Sequence, residues 1–418
     1  MRGRPVNLGL VGCGGMGRRH LHGIAELQRA RGAAAVTLAG VADRAPARAV
    51  ALADEAERLL GRRPAVFPDQ EALAASGAVE AVDINTATES HAGLCCDALA
   101  RGLHVFVEKP LAVTIADCLR VRRAAERAGR VVAVAENVRR EAGHRLARAA
   151  IAGGMIGEVR LVIDQACSGA DAIWLTPWRH RKVAGGMLLD VMVHNADLIE
   201  YLAGRVDRVA GSIRLAEPIR RARGGPSPVA SAGYYEQWAS ELPAQAEADA
   251  EDEAVALLQF RGGALGTWTI SQAAHGEPSR VRWIYGSRGA LRMPADRSGA
   301  SPVVTFDGSP PLEGRALVDA VPAYRLDDLS AAVYGDERPV PSGMPFAALD
   351  RKLCAIEIGD FVDAVRRRRP PEVDAVQGTR NIALVWAVCE ASVAGAWVDV
   401  AEVERGERST YQETLGPA

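Results

Sequence analysis

Short apolar runs alternate with amphipathic stretches through the first third of the chain. Val6–Val11, Val36–Ala42, Ala65–Phe67, 79–85, 103–107 and 131–135 read as strands with few polar positions. Such runs suit a sheet covered on both faces. The stretches between them carry helical spacing, most clearly at 90–101 and 114–128. Asp69 stands where it caps a following helix. The βα alternation predicts an α/β fold with a parallel, doubly wound sheet.

The second part of the chain has a different texture. Residues 185–204 open on Gly185-Gly186 and close on Gly204. Between them lies a helix that is apolar nearly all round, through Leu188, Leu189, Val191, Met192, Val193, Leu198, Ile199 and Leu202. Such a helix is buried. Asp190, His194, Asp197 and Tyr201 fall on one stripe of it. That stripe therefore lines a cavity or is paired internally. Glu253–Phe260 and 264–273 read as strands joined at Arg261-Gly262-Gly263, a hairpin pattern. Residues 217–252 and 294–346, rich in Pro, Gly, Ser, Ala and charge, read as insertions forming surface loops or binding lids. Tyr234, Tyr235 and Trp238 in the first insertion either stack on a sugar ring, meet an oligomer partner or anchor the loop.

With 418 residues the chain exceeds one comfortable core, so two domains are expected: 1–134 for a dinucleotide and 135–418 for substrate and oligomerisation. A formal net charge of −2 gives no footprint for nucleic acid or an anionic membrane. The basic run 366–369 suits a solvated helix end. No apolar run reaches membrane-spanning length. The basic residues 1–5 lead into a strand that runs onto glycines, unlike a signal peptide. Seven cysteines with no CxxC pair suggest a reducing cytoplasm, with neither a disulfide framework nor a structural metal.

The chemistry gathers at strand ends. Gly12, Cys13, Gly14, Gly15, Met16 and Gly17 form GxGxxG between a strand and a helix. This is the Rossmann pattern, with glycines for the tight turn, the pyrophosphate approach and helix–strand packing. Asp43 ends the second strand, either accepting from ribose hydroxyls and repelling a 2′-phosphate or capping its own turn. Arg44 beside it tolerates such a phosphate, so NAD is preferred and NADP remains open. Thr86, Thr88, Glu108, Lys109, Pro110, Glu136 and Asn137 stand at later strand ends, where doubly wound sheets bind ligands. Lys109 is either a turn lysine or a donor to a substrate oxygen. Asp190 and His194, four residues apart, suit a carboxylate orienting an imidazole, a core histidine or a helix pair. A metal held by Asp190, His194 and Asp197 is not expected, since no further His or Cys cluster completes a site.

Taken in order, Gly12–Gly17, Asp43, the 82–91 segment, Glu108-Lys109-Pro110 and Gly185-Gly186 followed by Asp190, His194 and Asp197 resemble the Gfo/Idh/MocA family, named for glucose–fructose oxidoreductase and inositol dehydrogenase. The likeness runs to about residue 215. It implies a second α/β domain with a large, open, mostly antiparallel sheet that often mediates oligomerisation, here as a dimer or tetramer. It implies a nicotinamide cofactor and Lys109, Asp190 and His194 as the catalytic group, with His194 taking the hydroxyl proton. It places Trp178 and Arg179 near nicotinamide and substrate, His91 on the cofactor side, and a cis bond before Pro110. The implied substrate is a cyclic polyol, sugar or sugar derivative; an anionic one follows if Arg139, Arg140, Arg179, His180, Arg181 and Lys182 face inward. Two alternatives stand beside this: a glycosidase working by transient oxidation and elimination, and a non-catalytic dinucleotide sensor, which would be expected to lack the lysine and histidine. Thr86-Ala87-Thr88 and Glu136-Asn137 depart from the family's common strand ends.

Overall fold

The computed structural model describes residues 4–222 and 233–416, so the first residues of the basic N-terminus and part of the 217–252 insertion lie outside the description. β1 (Val6–Val11), β2 (Val36–Ala42), β3 (Ala65–Phe67), β4 (Ala81–Ile84), β5 (His104–Glu108) and β6 (Val132–Ala135) form a parallel sheet in the order β3-β2-β1-β4-β5-β6. α1 (Gly15–Arg31), α2 (Pro46–Leu60), α3 (Gln70–Ala75), α4 (His91–Ala100) and α5 (Ile115–Ala128) connect them. Local chemistry fixes several helix starts. Asp69 accepts from the Ala72 N–H at 2.8 Å, and Thr114 accepts from the Asp117 N–H at 3.1 Å. The strand order reverses between β1 and β4, opening a crevice at their carboxyl ends.

After α6 (Ala142–Ala152), the chain builds a second, eight-stranded sheet. Its members are β7 (Val159–Gly169), β8 (Val206–Arg214), β11 (Glu253–Phe260), β12 (Leu265–Ala274), β13 (Ser279–Gly286), β14 (Ala290–Met293), β15 (Val303–Thr305) and β16 (Val398–Asp399). Only β7 and β12 pair in parallel; every other neighbour is antiparallel. β9 (Ile219–Arg221) and β10 (Gln245–Glu247) make a separate ribbon. α7 (Gly186–Ala203) lies across the sheet, and its Leu188, Leu189, Met192 and Val193 are buried, as an all-round apolar helix requires. The 294–346 insertion is not the irregular loop its composition suggests. It holds β15, α8 (Gly314–Ala320) and α9 (Asp328–Tyr334), and buries Leu317, Val318 and Tyr324 in a core shared with α6, α7, β13 and β14.

α10 (Phe346–Arg367) returns to the first sheet's side, where its Asp350 pairs with the buried Arg19 of α1. α11 (Ala375–Ala394) packs against α5, α7 and β8, and α12 (Val400–Glu404) follows β16. The large sheet's other face remains open. Leu161, Val255, Leu257, Leu265 and Tyr285 are exposed there, and the register puts Leu161 beside both Leu265 and Tyr285. Among the described residues, no helix is long and apolar enough to cross a membrane.

Candidate active site

The glycine loop shapes one end of the crevice. Gly12 has φ +93, and a Cβ there would come within 2.7 Å of the Asn85 carbonyl oxygen. A Cβ on Gly17 would come within 2.2 Å of the Gly12 oxygen, so only glycine lets α1 approach β1 this closely. Gly14 faces open space and caps α1 without a side-chain hydrogen bond. The first N–H groups of α1 therefore present a positive, unsatisfied end to the crevice, a cradle that fits a pyrophosphate. Gly15 packs under the Tyr235 ring, and the Met16 sulfur accepts from Arg19 at 2.9 Å. Asp43 accepts from the Cys13 N–H at 2.7 Å and from the Ala45 N–H at 2.8 Å, closing the loop onto the end of β2. Arg44 beside it is exposed. Thr86 bonds Ser90 at 2.7 Å, and Thr88 is buried. The His91 ring nitrogens face the carbonyls of Pro110, 2.8 Å away, and Thr86, 3.1 Å away. It thus braces the end of β4 against the turn after β5, and its burial leaves it no open face toward the crevice.

The other end gathers side chains from distant segments. The Lys109–Pro110 bond is cis. Glu108 turns inward to His20, at 3.1 Å; burial alone would raise its carboxyl, but His20, Lys109 and Arg19 bring it down to about 2. Lys109 points outward from the same strand end. Its Nζ donates to Asp190 Oδ1 at 2.7 Å and to the Asp190 carbonyl at 2.8 Å. Arg179 donates to the other Asp190 oxygen at 3.2 Å and stacks on Trp178, 4.3 Å from the ring centre. Burial would raise the Asp190 carboxyl, yet Lys109 and Arg179 hold it well below the usual carboxylate range.

His194 is oriented by Glu136, not by Asp190. Its Nδ1 lies 2.8 Å from both Glu136 oxygens, and Glu136 is fully buried. The Nε2 atom lies 3.0 Å from Arg297 Nη2. An arginine has no acceptor, so Nε2 must accept and the ring proton must sit on Nδ1. The imidazole is therefore neutral, with its lone pair where a base needs it. Burial, helped by Lys109 and Arg297, keeps it well below its ordinary pKa. Burial pushes the Glu136 carboxyl up to about 7, against the pull of Arg297, the Val138 N–H and Lys109. His194 Nδ1 donates its proton to the Glu136 carboxylate, which fixes the ring's orientation and tautomer.

Other sequence expectations change place. Asp197 does not line the site: it bonds Arg139, at 2.7 Å through one oxygen, and Asn381, at 2.8 Å. A three-ligand group with Asp190 and His194 does not form. The basic residues expected to face an anion are mostly occupied. Arg140 pairs with Asp360 at 3.2 Å and Glu372 at 3.1 Å, Arg181 with Asp249 at 3.1 Å, and Lys182 with Glu251 at 2.9 Å. His180 accepts from the Trp174 N–H at 2.9 Å. Tyr234 meets His22, and Trp238 lies over Arg48, so these two anchor the first insertion to α1 and α2. Tyr235 instead lies between Gly15 and Arg179, whose guanidinium is 5.9 Å from its ring centre. Sequence reading left Glu136 without a partner and missed Arg297. The first was legible as a strand end; the second lies 103 positions beyond His194 in a segment with no motif.

A reversing parallel sheet with a bare helix start at its carboxyl edge is the arrangement of a dinucleotide-binding domain. The chain belongs to the Gfo/Idh/MocA family. Residues 6–136 match its "Oxidoreductase family, NAD-binding Rossmann fold" and residues 144–292 its C-terminal domain. It is 27% identical over 412 residues to levoglucosan dehydrogenase of Pseudarthrobacter phenanthrenivorans, covering 95% of this chain and 99% of that one. It is 27% identical over 350 residues to inositol 2-dehydrogenase of Rhizobium meliloti, covering 81% of this chain and 92% of that one. A solved structure of levoglucosan dehydrogenase with NADH and L-sorbose superposes with a TM-score of 0.74 at 24% identity, over 95% of this chain and 99% of that one; this likeness speaks to the fold. The cofactor domain is thus an NAD-binding one, and the chain is an NAD(P)-dependent dehydrogenase or reductase.

Proposed function

We propose that the protein interconverts a hydroxyl and a keto carbon on a cyclic polyol, sugar or sugar derivative, with Lys109 and His194 as its acid–base pair. The observation that carries this is their convergence: a neutral, Glu136-oriented imidazole and an Asp190-held ammonium come from separate segments to one end of the cofactor crevice. In the oxidative direction His194 Nε2 takes the hydroxyl proton, and Glu136 steadies the imidazolium that results. Lys109 donates to the same oxygen and offsets the charge developing on it. Asp190 holds Lys109 and Arg179 in place. When bound, the nicotinamide supplies the hydride chemistry at its C4 carbon. Gly12, Gly14, Gly15 and Gly17 would hold its pyrophosphate, Asp43 would accept from the adenosine ribose, and Trp178, Arg179, Thr86 and Asn137 would contact the nicotinamide end. The levoglucosan and inositol dehydrogenases among its relatives support a sugar-like substrate.

The exposed apolar row on the large sheet is the surface for a second copy, giving a dimer or tetramer. The test of the reaction is NADH absorbance with the purified protein across polyols, neutral sugars and sugar acids. Steady NADH formation with one of them supports the reading. Aglycone release without net NADH points to transient oxidation instead, and no turnover with NAD bound removes the assignment.

A further inference from the structure

We propose that Arg297 is a carboxylate-binding residue, and that the substrate is a polyhydroxy acid whose carboxylate lies within one or two carbons of the carbinol that His194 deprotonates. This rests on the reaction proposed above and narrows its substrate class.

Arg297 differs from the other arginines near the site. Arg139, Arg140 and Arg179 each have a carboxylate within ion-pair distance. Among the described residues, Arg297 has none. Its Nη2 donates to His194 Nε2 at 3.0 Å and to Asn137 Oδ1 at 3.2 Å. Its Nε is buried without a hydrogen-bond partner. An unmet donor on a charged group is costly to bury, and a bound anion removes that cost.

The side chain is held from behind. Residue 297 sits at φ +59, a conformation that a non-glycine residue keeps only when its surroundings enforce it. Glu141 supplies that constraint, accepting from the Arg297 N–H at 2.8 Å and the Gly299 N–H at 2.7 Å. The neighbouring Asp296 bonds Arg282 at 2.7 Å, and Arg282 also pairs with the buried Asp164. Buried ion pairs thus aim this guanidinium at the reactive end of the crevice.

Its present acceptor is the atom the reaction needs. A substrate hydroxyl must take the position on His194 Nε2 that Arg297 Nη2 now fills. The displaced donor then needs another acceptor close to that hydroxyl. A carboxylate near the carbinol supplies it in the planar geometry an arginine fork matches.

The experiment compares kcat/KM for matched partners, such as gluconate against glucitol and glucuronate against glucose, within a wider panel that includes a sugar phosphate. It uses the full-length wild type, Arg297→Gln and Arg297→Lys, with NAD binding and thermal unfolding measured on each. The expected result is a preference for the acid of about 10- to 100-fold, the range spanned by hydrogen bonds to charged groups. Arg297→Gln shrinks that ratio, chiefly through KM, and Arg297→Lys keeps part of it. Turnover of neutral partners as fast as the acids, a preference for the phosphate, or an unchanged ratio in Arg297→Gln overturns the proposal and leaves the dehydrogenase reading standing. No NADH from any member of the panel overturns the reading of the reaction as well.

Discussion

The cofactor loop is built from one short stretch, Gly12 to Gly17, with Asp43 following 30 positions after Cys13. The reactive end draws Lys109 from β5, Glu136 and Asn137 from the end of β6, Asp190 and His194 from α7, and Arg297 from the turn before β15. In the first region the backbone does the work: a positive φ, a bare helix start and close strand–helix contact. In the second, side chains do it, and each is placed by something far along the chain. A phosphate cradle is therefore a local property, whereas a base with the right tautomer needs a fold. The two regions should then fail separately.

The sharpest separation comes from Lys109→Ala. With an oxygen-stabilising donor removed, kcat should fall by about 10²- to 10³-fold. NAD affinity, measured by calorimetry, should be retained. Loss of binding together with turnover would break the contrast between the two ends.

Glu136→Gln tests whether the imidazole depends on its distant carboxylate. Loss of the partner should lower kcat by about 10²-fold, within the span of acid–base catalysis. The wild-type pH profile carries the sign. Glu136 must be ionised to accept from His194 Nδ1, so oxidative kcat/KM should climb as pH rises through about 7. In Glu136→Gln that limb should flatten or move; a profile identical to wild type would remove Glu136 from the mechanism. The same raised value means that the stability contribution of protonated Glu136 is greatest below the ordinary carboxylate range and is lost as pH rises through about 7.

Asp43→Ala probes the local end and should have the smallest effect. The KM for NAD should rise about 10-fold, since two backbone N–H groups and the ribose lose a charged acceptor. The preference for NAD over NADP should narrow while kcat changes little. A fall in kcat matching that of Lys109→Ala would mean that the loop and the reactive end are one cooperative unit.

The parallel sheet was legible because its strands are continuous apolar runs bounded by turn chemistry. Val6–Val11 followed by GxGxxG needs no distant contact to be read. α7 was legible for a related reason: an all-round apolar helix must be buried. The composition of 294–346 misled, because Pro- and Gly-rich text hides two short helices and a strand whose burial comes from α6, β13, β14 and α10 neighbours. On the α7 stripe the spacing put Asp190, His194 and Asp197 on one side, but could not divide them. A helix turns each side chain toward a different neighbour: Lys109 claims Asp190, Glu136 claims His194, and Arg139 claims Asp197.

Hydrophobic periodicity and the glycine spacing by themselves determined the doubly wound sheet, the helix that crosses the second sheet and the dinucleotide loop, because each of these is decided by neighbours a few residues apart. Only the tertiary structure decided which acid orients His194, that Asp197 pairs with Arg139, and that among the described residues Arg297 has no carboxylate of its own. Hydrogen bonding and charge pairing act over a few ångströms of space whatever the distance along the chain, so those choices exist only once the second domain has closed against the first.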